Sequence, residues 1–200
     1  MLHIVTSLYY TEYLESVYNS IYMDPDIRWH IGKSKEQEMP TNSFLKSDKR
    51  IIVYDVDCAN TEPHKKRNAA LDNIKDGYFC FLDDDTIFHE NMYLKYRQSM
   101  ENNFVGMLVG EQLDPKGNLR LIASKPVYER IDTGNVLSHH SSLQNVRWVG
   151  SHIEGVNSVD FLFWNEVYEF FGKKCAISNT PISHYNKLSG RNDFVIRRKR

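Results

Sequence analysis

Three consecutive carboxylates at the end of an apolar run constrain this chain more than any other feature. Residues 78–82 follow Gly77 and are apolar throughout, and Asp83, Asp84 and Asp85 come directly after them. A short apolar run rich in aromatic residues predicts a strand that is buried on both faces. Adjacent carboxylates repel one another, so they favour folding only where a cation or several donors lie opposite. Ligands of open α/β sheets bind beyond the carboxyl ends of the strands, so the sequence predicts a binding site there.

An acidic run also has an ordinary interpretation, which the triplet alone leaves open. Such runs are typical of solvated loops, and an Asp after a strand is often a helix N-cap. Asp85 or Thr86 would cap a helix over residues 91–100. The surrounding chain favours the binding site.

Composition narrows the class of protein. The 200 residues suffice for one domain with a full core, and Lys+Arg 25 against Asp+Glu 26 leaves no broad field for nucleic acid. Three cysteines without a CxxC pair predict neither a disulfide framework nor a zinc site, and therefore a reducing, cytoplasmic compartment. No segment approaches the roughly 20 apolar residues of a membrane helix. The basic tail, residues 191–200, would contact anionic lipid or lead into a further domain, although a solvated terminus is favoured.

Apolar periodicity predicts alternating strands and helices in the first half of the chain. Strands are expected at residues 3–8, 27–31, 50–54 and 78–82, with Gly32 closing the second of them. Helices are expected at about 14–22 and 64–75, the latter with Pro63 at its first position and Gly77 at its C-terminal stop. This order predicts a parallel sheet with crossover helices, which is half of a nucleotide-binding fold.

The second half has a different pattern. A helix over about 90–102 precedes a buried strand at 104–109, and the turn signature at 114–118 predicts a hairpin with residues 119–122. Residues 131–137 predict a strand broken by a turn or bulge. An aromatic helix over 159–171 and a short strand at 175–177 follow, and the helix is expected to bury Phe161, Trp164, Val167, Tyr168 and Phe171.

Two motifs one strand apart carry a family resemblance. Residues 66–71 read Lys-Arg-Asn-Ala-Ala-Leu, and residues 81–85 read Phe-Leu-Asp-Asp-Asp. With the Asp-Thr-Gly-Asn of residues 132–135 and the Asp-Phe-Leu-Phe-Trp of residues 160–164, this order resembles the GT-A glycosyltransferases, which use nucleotide sugars and carry a DxD motif. The layout is similar to inverting members of that family.

The resemblance covers nearly the whole chain and implies a single α/β domain with a Rossmann-like mixed sheet flanked by helices. This GT-A domain would comprise residues 1–190, with a nucleotide-binding half at 1–88 and an acceptor and catalytic half at 89–190. The sequence departs from the family pattern at the segment that contacts the base of the nucleotide. Many members carry acids after the second strand that contact the base, whereas residues 30–34 here read His-Ile-Gly-Lys-Ser, so the choice of nucleotide stays open.

The resemblance implies transfer of a hexose from a nucleoside-diphosphate sugar, with a UDP-sugar favoured, to a hydroxyl of a carbohydrate or glycoconjugate. It also implies inversion and a requirement for Mn²⁺ or Mg²⁺. Both ions suit hard oxygen ligands, and the cation would neutralise the charge that develops on the leaving diphosphate. By resemblance Asp85 binds the metal, and Asp83 and Asp84 face the ribose and the sugar. Alternation along an extended chain places Asp83 on the same side as Asp85, so it joins the metal site. His184 is similar to the late histidine that reaches the metal or diphosphate.

The predicted donor site draws on three further segments. Thr6, Ser7 and Tyr9 follow the first strand and would line the nucleoside pocket, unless they are simply a polar turn. Arg67 would meet a phosphate with its bidentate fork; the alternative is an exposed helix arginine. Two further residues complete the predicted donor site. Asn68 stands beside Arg67 in the matched motif, and Asp132 is the candidate for holding the donor's hydroxyls.

Inversion requires one carboxylate to take the acceptor hydroxyl's proton. Asp160, at the start of the aromatic helix, is the candidate base, with Glu154 in reserve. The alternative for Asp160 is that it only complements the helix dipole. Trp148 and His152 in the preceding polar loop are predicted to present the acceptor, because aromatic faces stack on sugar rings.

Three other classes are weighed against this one. A sugar nucleotidyltransferase would want a Gly-rich loop after the first strand, where residues 7–10 read Ser-Leu-Tyr-Tyr. A phosphohydrolase would use Asp55 and Asp57 as a nucleophile pair, but they follow the wrong strand. A non-catalytic carbohydrate-binding module of the same fold remains open.

Overall fold

A computed structural model describes residues 1–21, 24–41, 43–128, 131–150 and 159–190. The basic tail predicted at 191–200 lies outside these ranges. The strands in chain order are β1 (Leu2–Ser7), β2 (Ile27–Ser34), β3 (Ile51–Val56), β4 (Tyr78–Phe81), β5 (Ile87–Phe88), β6 (Met107–Leu113), β7 (Leu119–Leu121), β8 (Val136–His139) and β9 (Cys175–His184). The α-helices are α1 (Leu14–Ser20), α2 (Ser43–Ser47), α3 (Pro63–Leu71), α4 (Asn91–Glu101) and α5 (Val159–Phe170), with 3-10 turns at Thr133–Asn135 and His140–Gln144.

All of these strands join one mixed sheet. Its order is β3-β2-β1-β4-β8-β6-β9-β5, and β7 pairs with β6 as the predicted hairpin. The four strands β1 to β4 run parallel, β8 is antiparallel to both β4 and β6, and β9 is parallel to β6. The predicted fold class, a single α/β domain with a Rossmann-like mixed sheet and flanking helices, is confirmed.

The chain reverses its direction of progress across the sheet between β1 and β4. It moves from β1 to β2 to β3 on one side, and then crosses to place β4 on the other side of β1. Such a switch point opens a crevice beyond the carboxyl ends of the two strands. The exit of β1 and the acid triplet after β4 both lie at this crevice.

Both faces of β1 and β4 are covered, which explains why their sequences are continuously apolar. One face packs Leu2, Ile4, Cys80 and Leu82 against the buried residues of α1 and α4. The other face packs Phe79 and other residues against α3 and α5. There Trp164 stacks on Phe79 with 6.0 Å between ring centroids.

The second strand is longer than predicted, because Gly32 does not end it. Gly32 pairs with Ser7 and Tyr54 inside the sheet, and β2 continues to Ser34. A Cβ at this position would lie 2.4 Å from the carbonyl oxygen of Lys66. The glycine therefore permits close approach of α3 to the sheet, and the expected strand stop is wrong.

Other bounds also differ from prediction. The final strand was expected to end at residue 177, but β9 continues through Pro181 to His184, with register shifts against β6 that accommodate the proline. In α5 the fully buried residues include Phe163, whereas Phe161 and Phe171 are only partly covered. None of the helices in the described ranges combines the length and apolarity needed to span a bilayer.

Candidate active site

Asp83 is the most open of the three acids, and it bonds side chains from two directions. Arg67 Nη2 from α3 donates to Asp83 Oδ1 at 3.0 Å. Thr133 Oγ1 donates to Asp83 Oδ2 at 3.0 Å from the 3-10 turn before β8. These partners hold the partly exposed carboxylate at the mouth of the crevice.

Asp84 turns instead toward the exit of β1. Its Oδ2 accepts the backbone amides of Tyr9 at 2.5 Å and Tyr10 at 2.6 Å. Burial raises the pKa of Asp84 to about 7, while the two amides oppose that rise. Because the residue is buried against this turn, the structure gives Asp84 a role in holding backbone and does not support its predicted contact with the donor sugar.

Asp85 is held by the chain that follows β9. Ser189 Oγ donates to Asp85 Oδ2 at 2.6 Å, and the amide of Leu188 donates to the Asp85 carbonyl oxygen at 2.9 Å. The amide of Asn186 donates to Thr86 Oγ1 at 3.1 Å. Residues 186–189 therefore pack directly on the tip of the acidic triplet.

The donor set at this tip fits a hard divalent cation that arrives with a diphosphate. Mg²⁺ and similar ions are usually held by one or two carboxylates together with substrate phosphate oxygens, so Asp83 and Asp85 supply suitable ligands. Within the described ranges no group of three or more His, Cys, Asp or Glu side chains is placed to bind an ion. The ring of His184 stacks on that of His89 with 5.6 Å between centroids. Its metal role stays a prediction.

The Arg-Asn pair of the matched motif forms a unit with Trp148. Asn68 Nδ2 donates to the Trp148 carbonyl at 2.9 Å, and the Trp148 amide donates back to Asn68 Oδ1 at 2.9 Å. The Arg67 guanidinium lies 4.3 Å from the Trp148 ring centroid. Phe163 stacks on the same ring at 4.5 Å, with 6° between the planes.

This packing bears on two predicted roles. Trp148 is 3% exposed, so its ring offers no open face to a sugar, and its predicted acceptor role has no support here. Asn68 is engaged with backbone and acts on the site by fixing the tryptophan under Arg67. The other acceptor candidate, His152, and the reserve base, Glu154, lie outside the described residues.

Asp160, in the first turn of α5, faces the same arginine. Its Oδ1 lies 3.8 Å from Arg67 Nη1. Burial raises the pKa of Asp160 to about 7; Arg67 opposes this rise, and Asp132 and Asp83 add to it. A carboxylate with such a pKa can accept a proton near neutral pH, as a general base must.

Asp132 anchors a second polar network beside Asp83. Its side chain caps the 3-10 turn through a capping box with Asn135, and accepts from Arg120 Nη1 at 3.2 Å and Gln112 Nε2 at 3.3 Å. The Arg120 guanidinium lies 3.6 Å from the Tyr185 ring centroid. Sequence patterns gave no signal for Arg120, Gln112 or Tyr185, because hairpin residues reveal their partners only when β6, β7 and β9 are assembled.

The exit of β1 carries the predicted nucleoside-binding residues. Thr6 is fully buried: its hydroxyl donates to the Leu82 carbonyl at 2.7 Å and accepts from Trp29 Nε1 at 2.9 Å, so it has no surface for a ligand. Ser7 is also buried, and its Oγ has no hydrogen-bond partner within the described part of the chain. Tyr9 is half-buried at the crevice. Lys66, the neighbour of Arg67, gave no functional signal in the sequence, but its amine lies 4.6 Å from the Tyr9 ring centroid.

Comparison with known proteins finds similarity in structure alone. No protein-family model and no curated protein sequence matches the chain. Crystal structures of Staphylococcus aureus TarS residues 1–349 match with a TM-score of 0.69 at 12% identity, covering 92% of this chain and 59% of that one. The same protein in complex with UDP-GlcNAc matches with a TM-score of 0.69 at 11% identity, covering 92% and 57%.

A longer TarS structure matches with a TM-score of 0.66 at 12% identity and 92% coverage of this chain, which spans 36% of that one. The chain thus spans less than two thirds of the length of each of these proteins. At such identities the similarity establishes the fold, and it agrees with the GT-A-like architecture that the motifs predict.

Proposed function

We propose that this chain is a glycosyltransferase domain that transfers a hexose from a UDP-sugar to a hydroxyl acceptor, with inversion and with a divalent cation. The observation that carries the proposal is the position of Arg67 between Asp83 and Asp160. It brings a donor-side carboxylate and a candidate base to one crevice. The fold supports the same conclusion, because structures of similar fold hold UDP-GlcNAc and UDP.

The donor's diphosphate would lie beyond β4, where Asp83 and Asp85 would hold Mn²⁺ or Mg²⁺ together with the phosphate oxygens. The cation's contribution is to neutralise negative charge on the leaving diphosphate. Asp132 supports the donor side, since Arg120 and Gln112 hold its carboxylate next to Thr133. That arrangement suits hydrogen bonds to sugar hydroxyls.

The transfer step needs a base on the side of the sugar opposite the diphosphate. In the proposed step Asp160 takes the proton from the acceptor hydroxyl while that oxygen bonds to the anomeric carbon. The bond from the anomeric carbon to the diphosphate oxygen breaks, and its electron pair leaves with the nucleotide. Arg67 keeps Asp160 oriented and partly compensates its charge within buried surroundings.

The experiment that tests the proposal is a thermal-shift panel followed by a turnover assay. Nucleoside diphosphates and UDP-, GDP- and TDP-sugars are added with and without Mn²⁺, since a ligand that binds only the folded state raises the melting temperature. Release of UDP from the best UDP-sugar in the presence of Mn²⁺ is the expected result. Binding without release would favour a non-catalytic module, and release of pyrophosphate from UTP and a sugar phosphate would favour a nucleotidyltransferase.

A further inference from the structure

Three side chains from three separate segments of the chain converge on the backbone of residues 8–10. Asp84 comes from the segment after β4, Lys66 from α3, and Gln37 from the segment after β2. Each bonds to a different part of the turn that leaves β1. No pattern in the sequence marks them as a group, and the proposed transfer step uses none of them.

Lys66 is the most unusual member, because it is fully buried. Its Nζ donates to the Leu8 carbonyl at 2.6 Å and to the Asn60 carbonyl at 3.0 Å, and it also donates to Asn60 Oδ1. A buried amine is costly unless it is fully hydrogen-bonded. Here the bonds tie the exit of β1 to the loop before α3, so one side chain fixes two walls of the crevice.

Asp84 and Gln37 complete the set. Asp84 accepts the amides of Tyr9 and Tyr10, while Gln37 Nε2 donates to the Tyr9 carbonyl at 3.1 Å. The amide of Leu8 donates to the Gly32 carbonyl at 2.8 Å. Consecutive backbone polar groups from the Leu8 amide to the Tyr10 amide therefore all have partners, and side chains supply most of them.

We propose that Asp84, Lys66 and Gln37 are positioning residues that hold residues 8–10 as a preformed seat for the donor's nucleoside, and that none of them contacts the diphosphate. This rests on the proposed function. The turn lies at the crevice between β1 and β4, and its adjacent Tyr9 and Tyr10 rings, 6.4 Å apart, offer aromatic surface to a planar base. A turn that is already ordered avoids the entropic cost of ordering on binding.

The diphosphate side is physically separate in the same triplet. Asp83 faces Arg67, and Asp85 faces Ser189, whereas Asp84 faces the turn. Loss of the seat should therefore weaken binding of the nucleoside and leave binding of the metal and phosphates unchanged. A residue that contacts phosphate would affect both.

Isothermal titration calorimetry distinguishes a residue that holds the nucleoside seat from one that contacts phosphate, because it measures the affinity for each probe separately. The probes are the tightest binder among UMP, CMP, GMP and TMP without metal, and pyrophosphate with Mn²⁺. We expect Lys66→Met and Gln37→Ala each to weaken the nucleotide about tenfold, the effect of roughly one lost hydrogen bond in a buried site. Pyrophosphate with Mn²⁺ should bind both variants as it binds the unaltered protein. The control is Glu36→Ala, an exposed neighbour of Gln37, which should change neither affinity.

Asp84 gives a second, graded comparison. Asp84→Asn keeps an oxygen that can accept both amides, so it should lose less nucleotide affinity than Asp84→Ala. Equal weakening of both probes in the folded variants, or unchanged nucleotide affinity in all of them, overturns the inference. If Lys66→Met does not fold by circular dichroism, Gln37→Ala decides, because its side chain is only partly buried. An unaltered protein that binds no nucleotide would instead contradict the proposed function.

Discussion

Arg67 Nη2 lies 3.0 Å from Asp83 Oδ1, in a pair whose arginine is buried and whose carboxylate is partly open to solvent. The other terminal nitrogen of the same guanidinium lies 3.8 Å from Asp160 Oδ1. One cation thus serves two carboxylates that belong to opposite sides of the proposed reaction. Its charge should influence the protonation of the base as well as the placement of the donor-side acid.

Removing this charge should shift the pH profile of turnover. Burial raises the pKa of Asp160 and Arg67 lowers it, so Arg67→Met should raise it further. Because a base works only when deprotonated, the rising limb of kcat should move to higher pH. Arg67→Lys retains the charge and is the matched control, which should shift the limb less. Identical limbs for Arg67→Met and the unaltered protein would show that Arg67 does not influence the protonation of Asp160.

Asp160→Asn should retain donor binding and lose transfer. The amide keeps the shape of the side chain but cannot accept the acceptor's proton, and a general base typically contributes about a hundred- to ten-thousandfold in rate. The measurement is kcat for transfer beside the thermal shift with UDP and Mn²⁺. Unchanged turnover would assign the base elsewhere in the chain.

Asp85→Ala should abolish the part of nucleotide binding that depends on Mn²⁺. The carboxylate is a proposed ligand of the ion, and a single lost oxygen ligand leaves the diphosphate poorly neutralised. The readout is the difference between UDP thermal shifts with and without Mn²⁺. Asp114→Ala, at the tip of the β6–β7 hairpin, removes a carboxylate far along the chain from the triplet and serves as control. A normal Mn²⁺ effect in Asp85→Ala would remove the metal assignment.

Acidification should destabilise the fold through His30. Burial lowers the pKa of His30 to about 3, and the facing His3 and Arg28 act in the same direction. His30 Nε2 bonds His3 Nδ1 at 2.9 Å, Tyr54 bonds His30 Nδ1 at 2.8 Å, and His3 also bonds Asp76. His30 therefore becomes protonated below about pH 6.5 in the unfolded chain but only below about pH 3 in the folded protein.

Stability from this group is present above pH 6.5 and falls as the pH drops, by about 2 kcal/mol between pH 7 and pH 5. Urea unfolding at those two pH values gives the free energies. His30→Gln cannot titrate, so its free energy of unfolding at pH 5, taken relative to pH 7, should lie about 2 kcal/mol above that of the unaltered protein. An equal difference in both proteins would show that other groups govern the acid limb.

Gly32→Ala should lower stability by about 1–3 kcal/mol, the usual cost of forcing extra atoms into a packed site. The new Cβ would lie 2.4 Å from the Lys66 carbonyl, so α3 or β2 must move. Gly150→Ala is the matched control, since its Cβ would approach no atom of the described residues closer than 3.7 Å. Comparable melting temperatures for the two variants would contradict the close approach of α3 to β2.

The first half of the fold was predictable because its signals are local. Pro63 begins α3 and β4 is apolar throughout, so these two boundaries follow from one or two residues, whereas α3 ends at Leu71, well before the stop expected at Gly77. The second half was harder because its strands pair out of sequence order. The extension of β9 to His184 depends on β6 and β5 lying beside it, which no local pattern records.

The site divides in the same way. The carboxylates at the end of β4 are visible as a sequence run, and their location at the crevice follows from strand direction alone. Their individual roles do not follow, because Asp84 differs from its neighbours only in the turn it faces. In the sequence Lys66 is indistinguishable from an exposed helix lysine, because its bond to the Leu8 carbonyl exists only in the folded chain. Thr6 similarly resembles a pocket residue until Trp29 and Leu82 occupy its hydroxyl.

The bonds from Leu188 and Ser189 to Asp85 make the segment after β9 a cover for the acid tip. Truncation of the protein after His184 would uncover Asp85, removing the Ser189 donor from its carboxylate and the Leu188 donor from its carbonyl oxygen. Shortened versions of this chain should therefore be cut beyond residue 190 if tests of the proposed metal site are to keep these bonds.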